Sequence, residues 1–377
     1  MGPLNQDWEV RSLDDLELNG LQLVSDFFNV QFPGVFYPKC TPEIFKWKLG
    51  SSNPAGLGFL TVAMCNGLVI GVASGTRKIL RENNETFSAI EIGDTFTHPD
   101  FRKNGKCISS MSQNASDDKY FTVSVFGRLV SETISRAQLS GVCFIYGTPN
   151  ENSKPPYLKR LNFTEIDQGN IYSNVIITPR FVPLQKIRWV LSFSDLLIQL
   201  FIYALSYMVL GRNSIHEISD TEFLANFGEE YYCSEYFPDK IYLARTSEIL
   251  NHQYLMHPSH IYRFFQVNVK GLRKGVLITT EVLRSSGVSS FVVSDWLFLD
   301  QKVEKRLALF ISKLRSYNQN SETISFWELG GPTKITKLFL GIIMHKKVSL
   351  ISKDFRITDP DKSAEFGDFR IGWSDNG

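Results

Sequence analysis

The chain has 377 residues, 43% of them hydrophobic and 21% charged, with 40 lysines and arginines against 39 aspartates and glutamates. That length exceeds one ordinary domain, and the composition is that of a globular protein with ample core, not of a disordered or fibrous chain. A formal net charge of +1 without a basic block argues against nucleic acid as the main partner.

In chain order, Pro38 to Leu49 predicts an aromatic-rich helix whose Phe45 and Trp47, with Tyr37 before it, would line a cleft. Phe59 to Cys65 and Leu68 to Ser74 are apolar runs joined by Asn66-Gly67, which predicts a hairpin. Ala89 to Arg102, AIEIGDTFTHPDFR, predicts a strand ended by Pro99 that feeds a basic, glycine-containing turn, Arg102-Lys103-Asn104-Gly105. Ile108 to Val125 is polar with a β-like tail and predicts a loop excursion. Phe126, Leu129, Val130, Thr133, Ile134 and Ala137 then recur at helical spacing, and Ser140-Gly141 supplies a C-cap. Val142 to Gly147 reads as a buried parallel strand, followed by a loop with Asn150 and a helix with Tyr157.

Trp189 to Leu210 is the longest apolar run, but Asp195, Gln199 and three serines lie inside it. A charge at mid-span costs roughly 2.5–3.5 kcal/mol in a bilayer, so the run predicts a buried interdomain helix, with an interfacial helix as the alternative. Beyond it the pattern partly repeats: strands at Gly275–Leu283 and Ser289–Leu299, a helix at Val303–Leu314, a strand at Thr323–Leu329, a helix at Pro332–Met344 and a strand at Val348–Ile351. The predicted organisation is a first domain over residues 1–185, an apolar linker over 186–215 and a second domain over 216–377. Cys40, Cys65, Cys107, Cys143 and Cys233 are scattered and odd in number, and His257 and His260 form no metal-ligand motif. Neither a disulfide framework nor a metal is expected. With no secretory signal visible, the expected setting is cytoplasmic, and membrane attachment is not expected.

The order of strand, basic glycine turn, helix, strand, Asn loop and Tyr helix resembles the GNAT acyltransferases, over roughly residues 35 to 180. These grip the pyrophosphate of acetyl-CoA with R/Q-x-x-G-x-G/A; Arg102 and Gly105 match, and Cys107 stands where a small residue is usual. Two departures matter: the excursion at 108–125, and one extra residue between Tyr157 and Phe163. They predict an interrupted cradle made of Arg102, Lys103, Asn104 and Gly105 on one side and Ser124, Val125, Phe126 and Gly127 on the other. Backbone N–H groups and a helix N-terminus suit such a site. After Leu299 the second half has no Arg-x-x-Gly turn, so the resemblance implies an α/β (α+β mixed-sheet) protein of tandem GNAT-like units, the second degenerate and without CoA.

The resemblance further implies N-acetyl transfer from acetyl-CoA, by direct attack of an amine. The amine needs a base and the thioester oxygen a backbone N–H. Asp94, Glu91 and His98 are the ionisable candidates, Asp94 the favoured one, with the backbone of Phe96 and Thr97 beside the pantetheine. Tyr157 would protonate the leaving thiolate and Asn150 belongs to the cofactor loop. Strict alternation puts Glu91 and Asp94 on opposite faces unless a bulge intervenes. The two-unit plan further resembles bacterial enzymes that acetylate nucleotide-linked aminodeoxysugars for surface polysaccharide. Another amine acceptor, or a non-catalytic CoA-binding or structural protein of the same fold, is the alternative.

Overall fold

The structure is a computed structural model that describes residues 8–13, 18–32, 40–83, 85–103, 124–175, 214–227, 241–283, 289–299, 310–311, 314, 323–329 and 342–356. Tyr37, Asn104, Gly105, Cys107, Cys233, most of the excursion at 108–125 and the whole apolar run at 189–210 lie outside these residues. No described helix is long and apolar enough to cross a membrane.

The first half contains strands β1 (Trp8–Ser12), β2 (Phe59–Cys65), β3 (Leu68–Glu82), β4 (Glu85–Thr97), β5 (Phe144–Gly147) and β6 (Thr164–Val175). Its helices are α1 (Leu18–Gln31), α2 (Pro42–Leu49), α3 (Pro99–Lys103), α4 (Val125–Leu139) and α5 (Lys154–Arg160). The β2–β3 hairpin turns on Asn66 (φ 51°) and Gly67 (φ 80°), both left-handed as a two-residue I′ turn requires. The helical stripe of α4 (Val125, Leu129, Val130, Ile134 and Ala137) packs on Ile90, Ile92 and Ile145 of one sheet face. Helices α1 and α2 cover the other face, setting Phe27, Phe28, Phe45 and Leu49 against Leu60, Val62 and Val72.

The second half repeats the plan with β7 (Ser214–Ile218), α6 (Asp220–Phe227), β8 (Tyr242–Leu243), α7 (Ser247–Leu250), a π-helical turn (Asn251–Leu255), β9 (Tyr262–Val269), β10 (Leu272–Leu283), β11 (Ser289–Phe298), β12 (Thr323–Leu329) and β13 (Ile342–Asp354). Its β9–β10 hairpin turns on Lys270 (φ 53°) and Gly271 (φ 79°), nearly the dihedrals of Asn66 and Gly67. The pair β11–β12 is parallel, as is β4–β5. The expected helix at Pro332–Met344 is corrected at its end, where Ile342, Ile343 and Met344 are strand residues paired with Asn174, Ser173 and Tyr172 of β6. Pairing with a distant strand overrides the local helical pattern there.

The described strands form one sheet in the order β1-β2-β3-β4-β5-β13-β6-β12-β11-β10-β9-β7, with β8 paired to β3 off this path. The last strand of each half therefore lies against the other half: β13 beside β5, β6 beside β12, and the two antiparallel to each other between them. A shared core follows, in which Leu80, Ala89 and Phe144 meet Phe223, Tyr254 and Phe264.

Candidate active site

The pairing of β3 with β4 runs Ser74↔Gly93 and then Val72↔Phe96, so Asp94 and Thr95 together oppose Ala73 alone. This β-bulge holds Asp94 at φ 42°, a left-handed conformation that Asp tolerates better than most residues. It also divides the two side chains between the faces. The Asp94 carboxylate lies on the α2 face, where Ser74 Oγ donates to Oδ2 at 2.9 Å and Lys48 Nζ stands 2.5 Å from the same oxygen. Thr95 faces the other way, its Oγ1 3.4 Å from Tyr157 Oη.

Glu91, opposite Thr76, is 2% exposed and 3.6 Å from Lys78 Nζ. Ser74, Thr76, Lys78 and Glu91 share the face that carries the Asp94 carboxylate. Alternation alone would have separated the two acids; the bulge inserts one residue and reverses the parity, so both serve one face. Two lysine–carboxylate pairs thus share one face, Lys48–Asp94 buried and Lys78–Glu91 with a partly buried lysine. Such pairs stabilise a fold little better than apolar residues of the same volume, so stability alone gives little reason for two together.

Beside them the sheet opens. Strands β4 and β5 pair only over Ala89↔Phe144, Ile90↔Ile145 and Glu91↔Tyr146, while β4 continues to Thr97. Gly147 closes β5, where a Cβ would meet Ile92 Cγ2 at 2.8 Å and Ile92 O at 3.0 Å. The start of α4 comes equally close to β3: a Cβ on Gly71 would sit 2.8 Å from Leu129 Cδ1 and 2.9 Å from Val125 Cγ1. Ser124 caps α4, its Oγ accepting from Gly127 N at 3.0 Å.

The other predicted residues take individual places. Tyr157 is buried against Phe126 and Phe163, and burial pushes its phenol up to about 12 despite the Thr95 hydrogen bond. Phe96 packs against Phe27 and Phe32 of the α1 region. Thr97 is buried, and its carbonyl accepts from Arg102 Nε at 2.8 Å. The Arg102 guanidinium lies 4.6 Å from the Phe96 ring centroid. Arg102 and Lys103 belong to the short helix α3 and not to a turn, because His98 Nδ1 accepts from Asp100 N and opens a helix there. Asn104 and Gly105 fall outside the described residues, so the first side of the expected cradle is seen only at Arg102 and the Lys103 backbone. Asn150 serves its own loop, with Oδ1 accepting from Asn152 N and Ser153 N at 3.0 Å each.

Where the halves meet on the α2 face there is a small cleft walled by Trp47, Lys48, Asn53, Thr76, Lys78 and His252. The expected cleft helix is therefore real at Trp47, whereas Phe45 is fully buried in the core. Sequence reading passed over Lys48 and Lys78. A signal existed for Lys48, which lies three residues after Phe45 and beside Leu49, on the apolar stripe of α2.

No protein-family model and no curated protein matches this sequence. Among solved structures, the chain is similar to a probable N-acyltransferase of Enterococcus faecalis described as a conserved protein of unknown function, at 12% identity and a TM-score of 0.57 over 93% of this chain and 73% of that one. It is similar to a GCN5-related N-acetyltransferase from Anabaena variabilis at 11% identity and a TM-score of 0.52, over 93% and 73%. It is also similar to Saccharomyces cerevisiae N-myristoyltransferase with bound myristoyl-CoA at 11% identity and a TM-score of 0.58, over 96% and 88%. The chain thus has the mixed-sheet fold of these proteins along nearly its whole length.

Proposed function

We propose that the protein is an acyl-CoA-dependent N-acyltransferase of the GNAT type, with its reaction centre at the β4 bulge. The observation that carries this reading is the pair of lysine–carboxylate contacts, Lys48–Asp94 and Lys78–Glu91, on one face at the point where β4 outruns β5. The thioester arm would enter between the parted ends of β4 and β5, and the pyrophosphate would meet the N-terminus of α4, a 15-residue helix. The acceptor amine would come from the cleft. The Asp94 contacts with Ser74 and Lys48 are both at Oδ2, and Oδ1 would take the amine proton. The neutral nitrogen attacks the thioester carbon, the C–N bond forms and the C–S bond breaks. Tyr157, held protonated by burial, returns a proton to the departing thiolate.

For donor and acceptor we propose acetyl-CoA and the amine of a nucleotide-linked aminodeoxysugar. Lys78 lines the cleft together with Asn53 and Thr76, a polar wall that suits a sugar and its phosphates. The full-length likeness to an N-myristoyltransferase favours a longer acyl chain as the second reading. A screen of acetyl-CoA and myristoyl-CoA against amino-sugar nucleotides, simple amines and N-terminal peptides, followed by free thiol release, tests both. Thiol release that needs an amine supports the reaction class, and the pairing that works names the substrates. If neither thioester raises the melting temperature the reading is removed, since a ligand at a hundredfold excess over its dissociation constant stabilises by about 2.7 kcal/mol.

A further inference from the structure

Among the described residues, the second half reaches the candidate reaction centre most closely at Trp47, next to Lys48. Trp47 of α2 and His252 of the π-helical turn are joined three ways: Trp47 Nε1 donates to His252 O at 3.0 Å, His252 Nε2 lies 3.1 Å from Trp47 O, and the rings stack at 5.1 Å and 8°. The carbonyl can only accept, so Nε2 carries the hydrogen. Both residues are buried, and the His257 ring closes on Trp47 at 4.4 Å. Lys48, the next residue, holds the Asp94 carboxylate.

The far end is anchored as firmly. Arg245, just before α7, binds Asp295 of β11 through two bonds of 2.6 and 3.1 Å, and Tyr254 Oη donates to the same carboxylate at 2.7 Å. Asp295 adjoins a bulge of its own: Thr279 pairs with Val293 and Ile278 with Asp295, leaving Ser294 extra. A continuous line of contacts therefore runs from the β11 bulge through Asp295, Arg245 and Tyr254, the π-helical turn, His252 and Trp47 to Lys48 and the β4 bulge. Single π-turns interrupt helices frequently at functional sites, because they displace one side chain from the regular spacing.

We propose that His252 is a positioning residue: by clasping Trp47 it fixes the end of α2, and so sets the Lys48 ammonium and the Asp94 carboxylate for proton abstraction. This rests on the acyl-transfer reading above. The second half, whose sequence has no Arg-x-x-Gly after Leu299, is then a brace for the first half's chemistry.

The test follows the Lys48 ammonium in full-length protein made with ¹⁵N-lysine, the signal assigned by its loss in Lys48→Arg. A buried, ion-paired ammonium exchanges slowly with water and gives a sharp signal. His252→Ala is expected to broaden or shift it, and His252→Gln, whose amide can still donate to Trp47 O, to restore it. Should His252→Ala fail to fold, Trp47→Phe keeps the stacking, loses the indole donor and is expected to move the signal the same way. In parallel, His252→Ala is expected to keep its acetyl-CoA affinity by calorimetry within about twofold while kcat falls roughly 10- to 100-fold, the scale of a misplacement of about 1 Å. A Lys48 signal unmoved by either variant overturns the brace, as does a moved signal with kcat unchanged. If the signal responds but wild-type protein binds neither acetyl-CoA nor myristoyl-CoA, the brace stands and the acyl-transfer reading falls.

Discussion

Asp94 and Glu91 are two carboxylates brought to one face, and their partners distinguish them. Asp94 sits in the bulge, strained at φ 42°, with Lys48 and Ser74 on one oxygen; Glu91 lies in regular strand with Lys78 at 3.6 Å. If Asp94 is the base, Asp94→Asn lowers turnover by about 10²–10⁴-fold, the usual contribution of general-base help. The acyl-CoA dissociation constant stays near the wild-type value, because the loss falls on the transition state. Steady-state kinetics and calorimetry on Asp94→Asn and Glu91→Gln check this, and loss confined to Glu91→Gln would transfer the role. Tyr157 offers a pH test. Its folded value of about 12 lies above the ordinary tyrosine value near 10, so the protonated form is the one that folding favours. That stability is fully present below about pH 10 and lost as pH rises through about 12. The kcat profile is therefore expected to show no basic limb from this phenol below about pH 10. Tyr157→Phe should slow release of the CoA thiolate most where the thiolate is most basic, which a series of thioester leaving groups would measure.

Among the elements, the contact of α4 with β3 is close and lies at the proposed pyrophosphate site. Gly71→Ala puts a methyl group 2.8–2.9 Å from the side-chain ends of Leu129 and Val125, so those side chains or the helix start must shift. Overpacking of this kind costs about 1–3 kcal/mol, and acetyl-CoA affinity should fall with it if the helix N-terminus meets the pyrophosphate. Gly141→Ala is the control: at φ +82° it strains the backbone, yet its Cβ meets nothing within 4 Å. Denaturant titration should show both variants less stable, and calorimetry should show only Gly71→Ala binding more weakly. Local patterns made these elements legible. Asn66-Gly67, the spacing from Phe126 to Ala137 and the apolar run ending at Gly147 each state their structure within a dozen residues. The bulge at Asp94 does not, because it exists only as a mismatch of register against Ser74 and Val72 on another strand.

For the whole molecule, exchange of β6 and β13 ties the halves into one sheet. A fragment of residues 1–175 lacks β13, which pairs with both β5 and β6. Expressed alone it is expected to be insoluble or loosely folded, and co-expression with residues 214–377 to restore a complex that copurifies. A stable, cooperatively unfolding 1–175 fragment, judged by circular dichroism, would show that the exchanged strand is dispensable. Calorimetry of the intact chain is expected to return one acetyl-CoA per chain, since the second half carries no Arg-x-x-Gly after β11.

By itself the sequence determined what depends on near neighbours: the α/β class, the repeated strand order, the hairpin turn, the amphipathic α4, and the candidacy of Asp94, Glu91 and Tyr157 on or beside one motif. Tertiary structure alone decided what depends on residues far apart in the chain. It brought Lys48 onto Asp94 across 46 positions and His252 onto Trp47 across 205, and it laid β13 between β5 and β6. Periodicity reports which face of an element is apolar, and it carries no information on which distant partner covers that face. Buried charges are the extreme case, since a lysine such as Lys48 looks like solvent-facing polarity until the carboxylate that neutralises it is in place.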